Sequence, residues 1–193
     1  MFLVGEKVMH RSHGAGIITE KKKMQITETP HCYLVIQLLG SNSTLMVPTE
    51  QAEERLRPAC EMAVLHRLLI SELAGELQEL PGEYKARQKH LEEKLKSGET
   101  KEWIGVVRDL TCRAEQNSLS AGDRKLLDRS VDLLSGELAL TQGVPLEEAE
   151  SRLKSLIQFR HELADGQVES ADWWQSLRHR IAEPFTKSSA GNN

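Results

Sequence analysis

The two histidines near the N-terminus are the first residues whose type and spacing could support chemistry, in this case metal binding. His10 and His13 are three residues apart in the segment VMHRSHGAG. A zinc-binding HExxH pair places both rings on one face of a helix, whereas the glycines beside this pair indicate a strand and a turn. No carboxylate or cysteine lies at ligand spacing from the two rings. We therefore predict no metal site here and expect a role in turn packing or at the surface.

The sequence contains no constellation that predicts an enzyme. Neither a GxSxG motif nor an HxE…CxxC pattern occurs, so nucleophilic and zinc-hydrolytic mechanisms lack their parts. Neighbouring residues on a helix diverge by about 100°, so adjacent carboxylates do not form a shared acid–base pair. The adjacent pairs are Glu53-Glu54, Glu92-Glu93 and Glu147-Glu148. We predict a non-catalytic protein without cofactor or small-molecule substrate.

Composition limits the classes of partner and compartment. The chain has 193 residues, 28% of them charged and 39% hydrophobic, with a net charge of −4, which argues against a protein that coats nucleic acid. Any DNA contact must therefore be local. Three widely spaced cysteines predict neither a disulfide framework nor a CxxC site, and favour a reducing cytoplasm. No apolar run indicates export or a membrane anchor.

One local basic segment could supply a DNA contact. Between Glu83 and Lys101, six Lys/Arg residues oppose four Glu residues. An aromatic residue and several cations open a helix just after Pro81-Gly82, namely Tyr84, Lys85, Arg87 and Lys89. A helix N-terminus favours anions, so this end could bind phosphate. The alternative is a solvated helix with Tyr84 packed against Pro81, and the residues alone leave both open.

A second cationic run, Lys21-Lys22-Lys23, lies in a predicted hairpin. Such runs are common on solvated turns and on sheet edges that avoid pairing. The alternative is an electrostatic contact with an acidic partner surface. An exposed edge could also accept a strand from another protein.

The elements that position these residues fall into two parts, which together predict an α+β fold. Up to Pro58, runs of β-branched and aromatic residues bounded by Gly and Pro predict four or five short strands, closing into a small Tudor-like or SH3-like barrel. Gly14 and Gly16 are expected to serve a turn or bulge, because the segment lacks a phosphate-loop motif. We assign residues 1–58 to this barrel.

From residue 59 the apolar period becomes 3.6 and predicts an all-α bundle over residues 59–160. The first helix carries Met62 to Leu77 and ends at Pro81-Gly82. Four more span roughly 83–96, 100–117, 121–142 and 146–159, and Ser120 and Asp123 cap the helix over 121–142. Residues 161–193 form a predicted extension with a short helix and a disordered tail. Its Trp173 and Trp174 point to different faces, so we expect one to pack back.

Seven segments, taken in order, carry a likeness to a known family: VGEKVMHRSHGAGII, YLVIQLL, MVPTEQAE, LEEKLKSGE, VVRDL, LSAGDRKLL and SGELAL. The likeness extends over residues 1 to about 157. In order and spacing they resemble the CarD/CdnL-like family of bacterial RNA-polymerase-binding transcription regulators. The resemblance implies a Tudor-like N-terminal module, shared with the transcription-repair coupling factor, that binds the polymerase β subunit.

The resemblance also implies which residues meet each partner. Family members use two arginines for docking, and the matching positions here are Met24 and Met46. Two alternatives follow: Lys21, Lys22 and Lys23 shift the cation along the hairpin, or the contact is more apolar than in relatives. The family's DNA-wedging tryptophan matches Tyr84, while Trp103 belongs to the next helix and is predicted to be core. Arg87 and Lys89 match basic positions, and Ala86 replaces another. We therefore expect weak, sequence-independent contact with promoter DNA.

Two functions follow as hypotheses. In the first, the protein binds the β subunit and stabilises the open promoter complex from the upstream edge of the bubble, acting in the cytoplasm with the nucleoid-bound polymerase. In the second, it is an adaptor that no longer contacts DNA and acts through protein surfaces alone. Tyr84, Ala86 and the acidic net charge favour the second somewhat.

Overall fold

The computed structural model describes residues 2–25, 31–41 and 43–159. The strands are β1 (Lys7–His10), β2 (Gly14–Met24), β3 (His31–Leu38), β4 (Thr44–Pro48) and β5 (Leu56–Pro58). A 3-10 turn (Thr49–Gln51) and the one-turn helix α1 (Ala52–Arg55) precede β5. The remaining helices are α2 (Met62–Leu73), α3 (Tyr84–Lys96), α4 (Thr100–Gln116), α5 (Ala121–Gln142) and α6 (Leu146–Gln158).

The strands form one antiparallel sheet in the order β4-β3-β2-β1-β5. The predicted fold class, a small antiparallel β module followed by helices, is confirmed. The predicted closure into a barrel is not seen, because β4 and β5 are the two edges of the sheet and do not pair within the described residues. The inward face buries a small apolar core made of Val8, Ile18, Leu34, Ile36, Val47, Ala52 and Leu56.

The glycines of the opening segment serve backbone geometry, as predicted. Gly14 has a φ of +80°, a conformation that favours glycine at the start of β2. A Cβ on Gly16 would lie 2.5 Å from Cγ2 of Ile36 on the neighbouring strand. Both positions therefore need glycine for the turn and for strand packing, independent of any ligand.

The helices bury a second, larger core. Trp103 is fully buried within it, as predicted, and its Nε1 donates to the Leu95 carbonyl at 3.0 Å. One boundary differs from prediction: α2 ends at Leu73. The Ala74 amide still bonds the Ile70 carbonyl in the helical i→i−4 pattern, whereas the Gly75 amide bonds Glu72 at i−3. Leu77, expected on the buried stripe, is 54% exposed.

Helix α5 packs against the sheet and joins the two parts. A Cβ on Gly136 would lie 2.9 Å from Cβ of Ala15, so the helix backbone approaches β2 closely. Lys7 Nζ also donates to the Leu140 carbonyl at 2.5 Å. Met9 and Ala15 accordingly belong to the helical core. The boundary at residue 58 stays a prediction, and the extension with Trp173 and Trp174 lies outside the described residues.

Across the residues that the structure describes, no helix is long and apolar enough to cross a membrane.

Candidate functional site

Tyr84 is an exposed aromatic side chain held in a defined position. It is the first residue of α3 and is 49% exposed. Its ring reaches the N-terminal turn of α5, where a Cβ on Gly122 would overlap the Tyr84 hydroxyl. The Arg87 guanidinium lies 5.8 Å from the ring centroid on the same helix. A flat ring is therefore presented to solvent while one edge rests on α5.

The N-terminus of α3 is capped by the chain itself. The Glu83 carboxylate accepts a hydrogen bond from the Ala86 amide at 3.2 Å. A carboxylate at this position satisfies one free amide and uses the favourable end of the helix dipole. An incoming phosphate would meet this charge, so the geometry disfavours the predicted phosphate-binding helix end.

Arg87 lies inside the protein, although the sequence suggested a DNA contact. Its side chain is 5% exposed, and its Nε and Nη2 atoms each donate to the Asp123 carboxylate at 3.1 Å. Its Nη1 donates to the carbonyls of Pro81 and Gly82, both at 3.1 Å. We therefore revise its role from phosphate contact to positioning: it ties α3, and with it Tyr84, to α5.

Asp123 completes this joint. Gln88 Nε2 donates to its Oδ1 at 2.7 Å, and its own amide donates to Ser120 Oγ at 3.1 Å, which confirms the predicted cap. Burial alone would raise the pKa of Asp123, but the hydrogen bonds from Arg87 and Ser120 outweigh it and hold the pKa below its usual value. The carboxylate is thus charged at neutral pH.

Lys85 and Lys89 remain on the surface of α3 beside Tyr84. The Lys89 ammonium lies 4.0 Å from Glu93, an exposed pair that holds it only weakly. Of the four predicted DNA-contacting residues, the structure therefore exposes Tyr84, Lys85 and Lys89 along one helix and buries Arg87.

The strand register divides the predicted docking residues between two faces. Lys22 pairs with Tyr33 and Met24 with His31, while Met46 pairs with Val35, so these three share the outer face of the sheet. Lys21 and Lys23 alternate with them and occupy the opposite face of β2. Met46 is 44% exposed and lies on the edge strand β4. Of the predicted docking residues, the outer face thus carries two methionines and one lysine, and Glu20, which pairs with Val35, lies on the same face.

His10 and His13 pack in the turn after β1. The His10 Nδ1 accepts hydrogen bonds from the amides of Ser12 at 3.0 Å and His13 at 3.1 Å. Burial, with the nearby His13 and Arg55, lowers the pKa of His10 to about 4, so it is neutral at physiological pH. Within the described ranges, no group of three His, Cys, Asp or Glu side chains could hold a metal ion.

One motif that occurs in some catalytic sites was not predicted from the sequence. It is the SxxK pair formed by Ser151 and Lys154 on α6. A lysine that activates a serine needs a lowered pKa. The Glu150 carboxylate, which accepts a hydrogen bond from Lys154, instead raises the pKa of this lysine. The ammonium therefore stays protonated and has no proton-accepting role.

A buried ionic network between the two parts was also missed. Glu137, in α5, is fully buried and accepts from Arg57 at 2.5 and 2.8 Å, from Thr100 at 2.9 Å and from the Cys60 amide at 3.0 Å. Burial alone would raise the pKa of Glu137, but Arg57 outweighs it and lowers the pKa. Arg57 also lies 5.1 Å from the Trp103 ring centroid. The sequence signal was a glutamate within the apolar run LLSGELAL.

Comparison with known proteins identifies both halves of this architecture. Residues 2–60 match the CarD-like/TRCF RID domain, and residues 68–154 match the CarD C-terminal domain. The chain belongs to the CarD family. A similar protein is "Putative transcription factor YdeB" of Bacillus subtilis (strain 168), 32% identical over 152 residues, covering 78% of this chain and 99% of that protein. The family assignment makes this CarD-family protein a transcription regulator and its N-terminal module a polymerase-interacting domain.

Proposed function

We propose that this CarD-family protein docks on the RNA polymerase β subunit and stabilises the open promoter complex by placing Tyr84 at the upstream edge of the transcription bubble. The observation that carries the proposal is the half-exposed Tyr84 ring, held on Gly122 and beside the Arg87–Asp123 pair. A rigid, flat, amphipathic side chain is the kind of group that wedges between bases in a minor groove.

We assign one surface of the sheet, its outer face, to polymerase docking. The outer sheet face with Lys22, Met24 and Met46 offers apolar contact beside a cation, and the β4 edge offers main-chain hydrogen bonds. Methionine side chains adapt to irregular partner surfaces. Lys21 and Lys23, on the opposite face, would contribute through long-range attraction to an acidic partner.

The mechanism needs no catalytic step. Tethering through the sheet raises the local concentration of α3 at the promoter, so a weak DNA contact suffices. A contact that forms only with splayed bases shifts the equilibrium toward the open complex by its difference in affinity for the two states. Because exposed lysines and one ring supply the contact, sequence specificity is low. The protein acts wherever polymerase acts, in the cytoplasm on nucleoid DNA.

The test is the lifetime of the open complex. Base–aromatic stacking is worth about 1–3 kcal/mol, so Tyr84→Ala should shorten the lifetime about tenfold. Leu77→Ala, which removes a comparably exposed apolar side chain, is the control and should leave the lifetime unchanged. Recovery of the β subunit should be equal for both variants. An unchanged lifetime with Tyr84→Ala would show that the ring is not a wedge.

The adaptor function is the second candidate, favoured by the Glu83 cap and the burial of Arg87, which remove two expected phosphate contacts. Binding to fork-junction promoter DNA with and without polymerase separates the two. Salt-dependent binding in the polymerase complex supports the DNA-contacting function. Docking without any effect on DNA affinity supports the adaptor.

A further inference from the structure

A basic groove lies where the β1–β2 turn meets α3 and α5. Its volume is about 220 Å³, and its walls carry three cations, Arg11, Lys96 and Arg129, against one carboxylate, Glu92. The remaining lining residues are Ser12, Leu95 and Leu133. We refer to this site as the basic groove. The cations come from three separate elements, so tertiary packing alone brings them together.

The cations of the basic groove are held in place. The Arg11 side chain packs on Gly98, where an added Cβ would lie 2.7 Å from Arg11 Cγ. Arg129 Nη2 donates to the Ser12 carbonyl across the groove. Lys96 lies 3.1 Å from Glu92 in an exposed i,i+4 pair, which is weak and readily exchanged for another anion.

The basic groove shares one side of the molecule with Tyr84. Helices α3 and α5 run side by side, with Tyr84 at Gly122 at one end and Lys96 near Arg129 at the other. At 1.5 Å per residue the separation is about 10 Å along α5 and about 18 Å along α3. DNA rises 3.4 Å per base pair, so the groove and the ring are about three to five base pairs apart.

A stripe of lysines connects the two ends. Lys85, Lys89 and Lys96 are four and seven residues apart, a spacing that places them on one face of α3. All three are exposed. Glu93 and Glu92 lie among these lysines and pair with Lys89 and Lys96, and Tyr84 lies about 100° from Lys85 around the helix. The cations recur along the length of α3, which suits a polymeric anion better than a single small phosphate compound.

We propose that the basic groove binds a backbone phosphate of the duplex DNA three to five base pairs upstream of the bases that Tyr84 meets. This inference rests on the proposed DNA contact of Tyr84. It gives the sheet module, through Arg11, a direct part in DNA binding besides docking. Because the contact is to phosphate, it fixes orientation on the duplex and reads no sequence.

The experiment measures affinity for fork-junction promoter DNA in the polymerase complex at several salt concentrations. Each lost phosphate contact lowers the slope of log K against log salt by about 0.9. Arg11→Gln and Lys96→Gln should each lower the slope by about that amount. Lys154→Gln, which removes an exposed lysine on α6, is the matched control and should leave it unchanged.

A neutral methylphosphonate placed three to five base pairs upstream locates the contact. Wild type and Tyr84→Ala should both lose affinity for the substituted DNA, whereas Arg11→Gln and Lys96→Gln should not. Unchanged slopes and retained sensitivity in both groove variants would overturn the basic groove while leaving Tyr84 intact. If the wild-type protein does not increase the affinity of polymerase for this DNA at all, both the proposed function and the basic groove are wrong.

Discussion

Among the described residues, two Arg–carboxylate pairs join separate elements of the molecule, and they differ in what they fix. Glu137 lies in the middle of α5 and takes its hydrogen bonds from Arg57, Thr100 and Cys60, so it joins the sheet to the helices. Asp123 lies in the first turn of α5, where the helix dipole also favours its charge, and with Arg87 it joins α3 to α5.

The two pairs therefore position different parts of the molecule: one positions a whole module, and the other positions the start of a single helix. Loss of the Glu137 carboxylate would leave Arg57, at the interface between the two modules, without its charged partner. Loss of the Arg87–Asp123 pair would leave Asp123 its cap and helix dipole, and would loosen mainly the start of α3. We infer that the first joint sets the distance between docking face and DNA, and that the second sets the orientation of Tyr84.

The largest expected effect is at the first joint. Glu137→Ala removes one partner of a buried pair, and such changes lower the free energy of unfolding by about 3–5 kcal/mol. Urea unfolding checks the value. Glu137→Gln keeps the shape and some hydrogen bonds, and should lose less. A Glu137→Ala protein as stable as wild type would mean that the network does not hold the modules.

A smaller loss is expected at the second joint. Arg87→Ala should lower the free energy of unfolding by about 2–3 kcal/mol, because Asp123 loses two charged hydrogen bonds but keeps Ser120 and Gln88. Open-complex lifetime should fall as well, since Tyr84 is no longer held. Arg67→Ala, at an exposed position of α2, is the control. A stability loss equal to that of Glu137→Ala would erase the proposed contrast.

Acid should weaken both joints. Asp123 and Glu137 have lowered pKa values in the folded protein, so their stabilisation is present above the unfolded pKa values of about 4 and is lost as pH falls below them. Urea unfolding at pH 4, 3 and 2 measures this dependence, because these values lie below the range between pH 6.5 and 4 in which His10 titrates. In the Asp123→Asn variant, the free energy of unfolding should still fall at acid pH, but less than in wild type, because Glu137 still titrates. An unaltered curve would argue against a role for Asp123.

The smallest stability effect, with a clear functional one, is expected from Gly122→Ala. The new Cβ would overlap the Tyr84 hydroxyl and displace the ring. The same Cβ would lie 2.7 Å from Gln88 Oε1, so that side chain must also move. Alanine raises helix propensity by up to about 1 kcal/mol over glycine, which offsets the strain of moving these two side chains. Unfolding should therefore shift little while open-complex lifetime falls. Gly82→Ala, where an added Cβ meets no atom within 4 Å, is the control.

The local parts of the fold could be predicted from sequence because they depend on neighbouring residues. Ser120 caps α5, Gly143 ends it with a φ of +68°, and Trp103 falls on the apolar stripe of α4. The end of α2 could not, because Leu77 continued the periodic pattern while the backbone turned away at Ala74.

The candidate site was predicted only where exposure follows from position along one helix. Tyr84 and Lys89 are exposed as expected, but Arg87 turned inward because Asp123, 36 residues away, binds it. Only the strand register shows that Lys21 and Lys22 lie on opposite faces of the sheet. The basic groove joins residues from a turn and two helices, so no sequence spacing marks Arg11 or Arg129 as partners.

The central claim is that Tyr84 meets DNA at the upstream edge of the bubble while the sheet holds the polymerase. The most direct measurement is a footprint of the polymerase–promoter complex with this protein added. We predict altered base reactivity at the upstream bubble edge, lost in Tyr84→Ala although that variant still binds polymerase. An upstream edge that reacts identically with and without the bound protein would contradict the account.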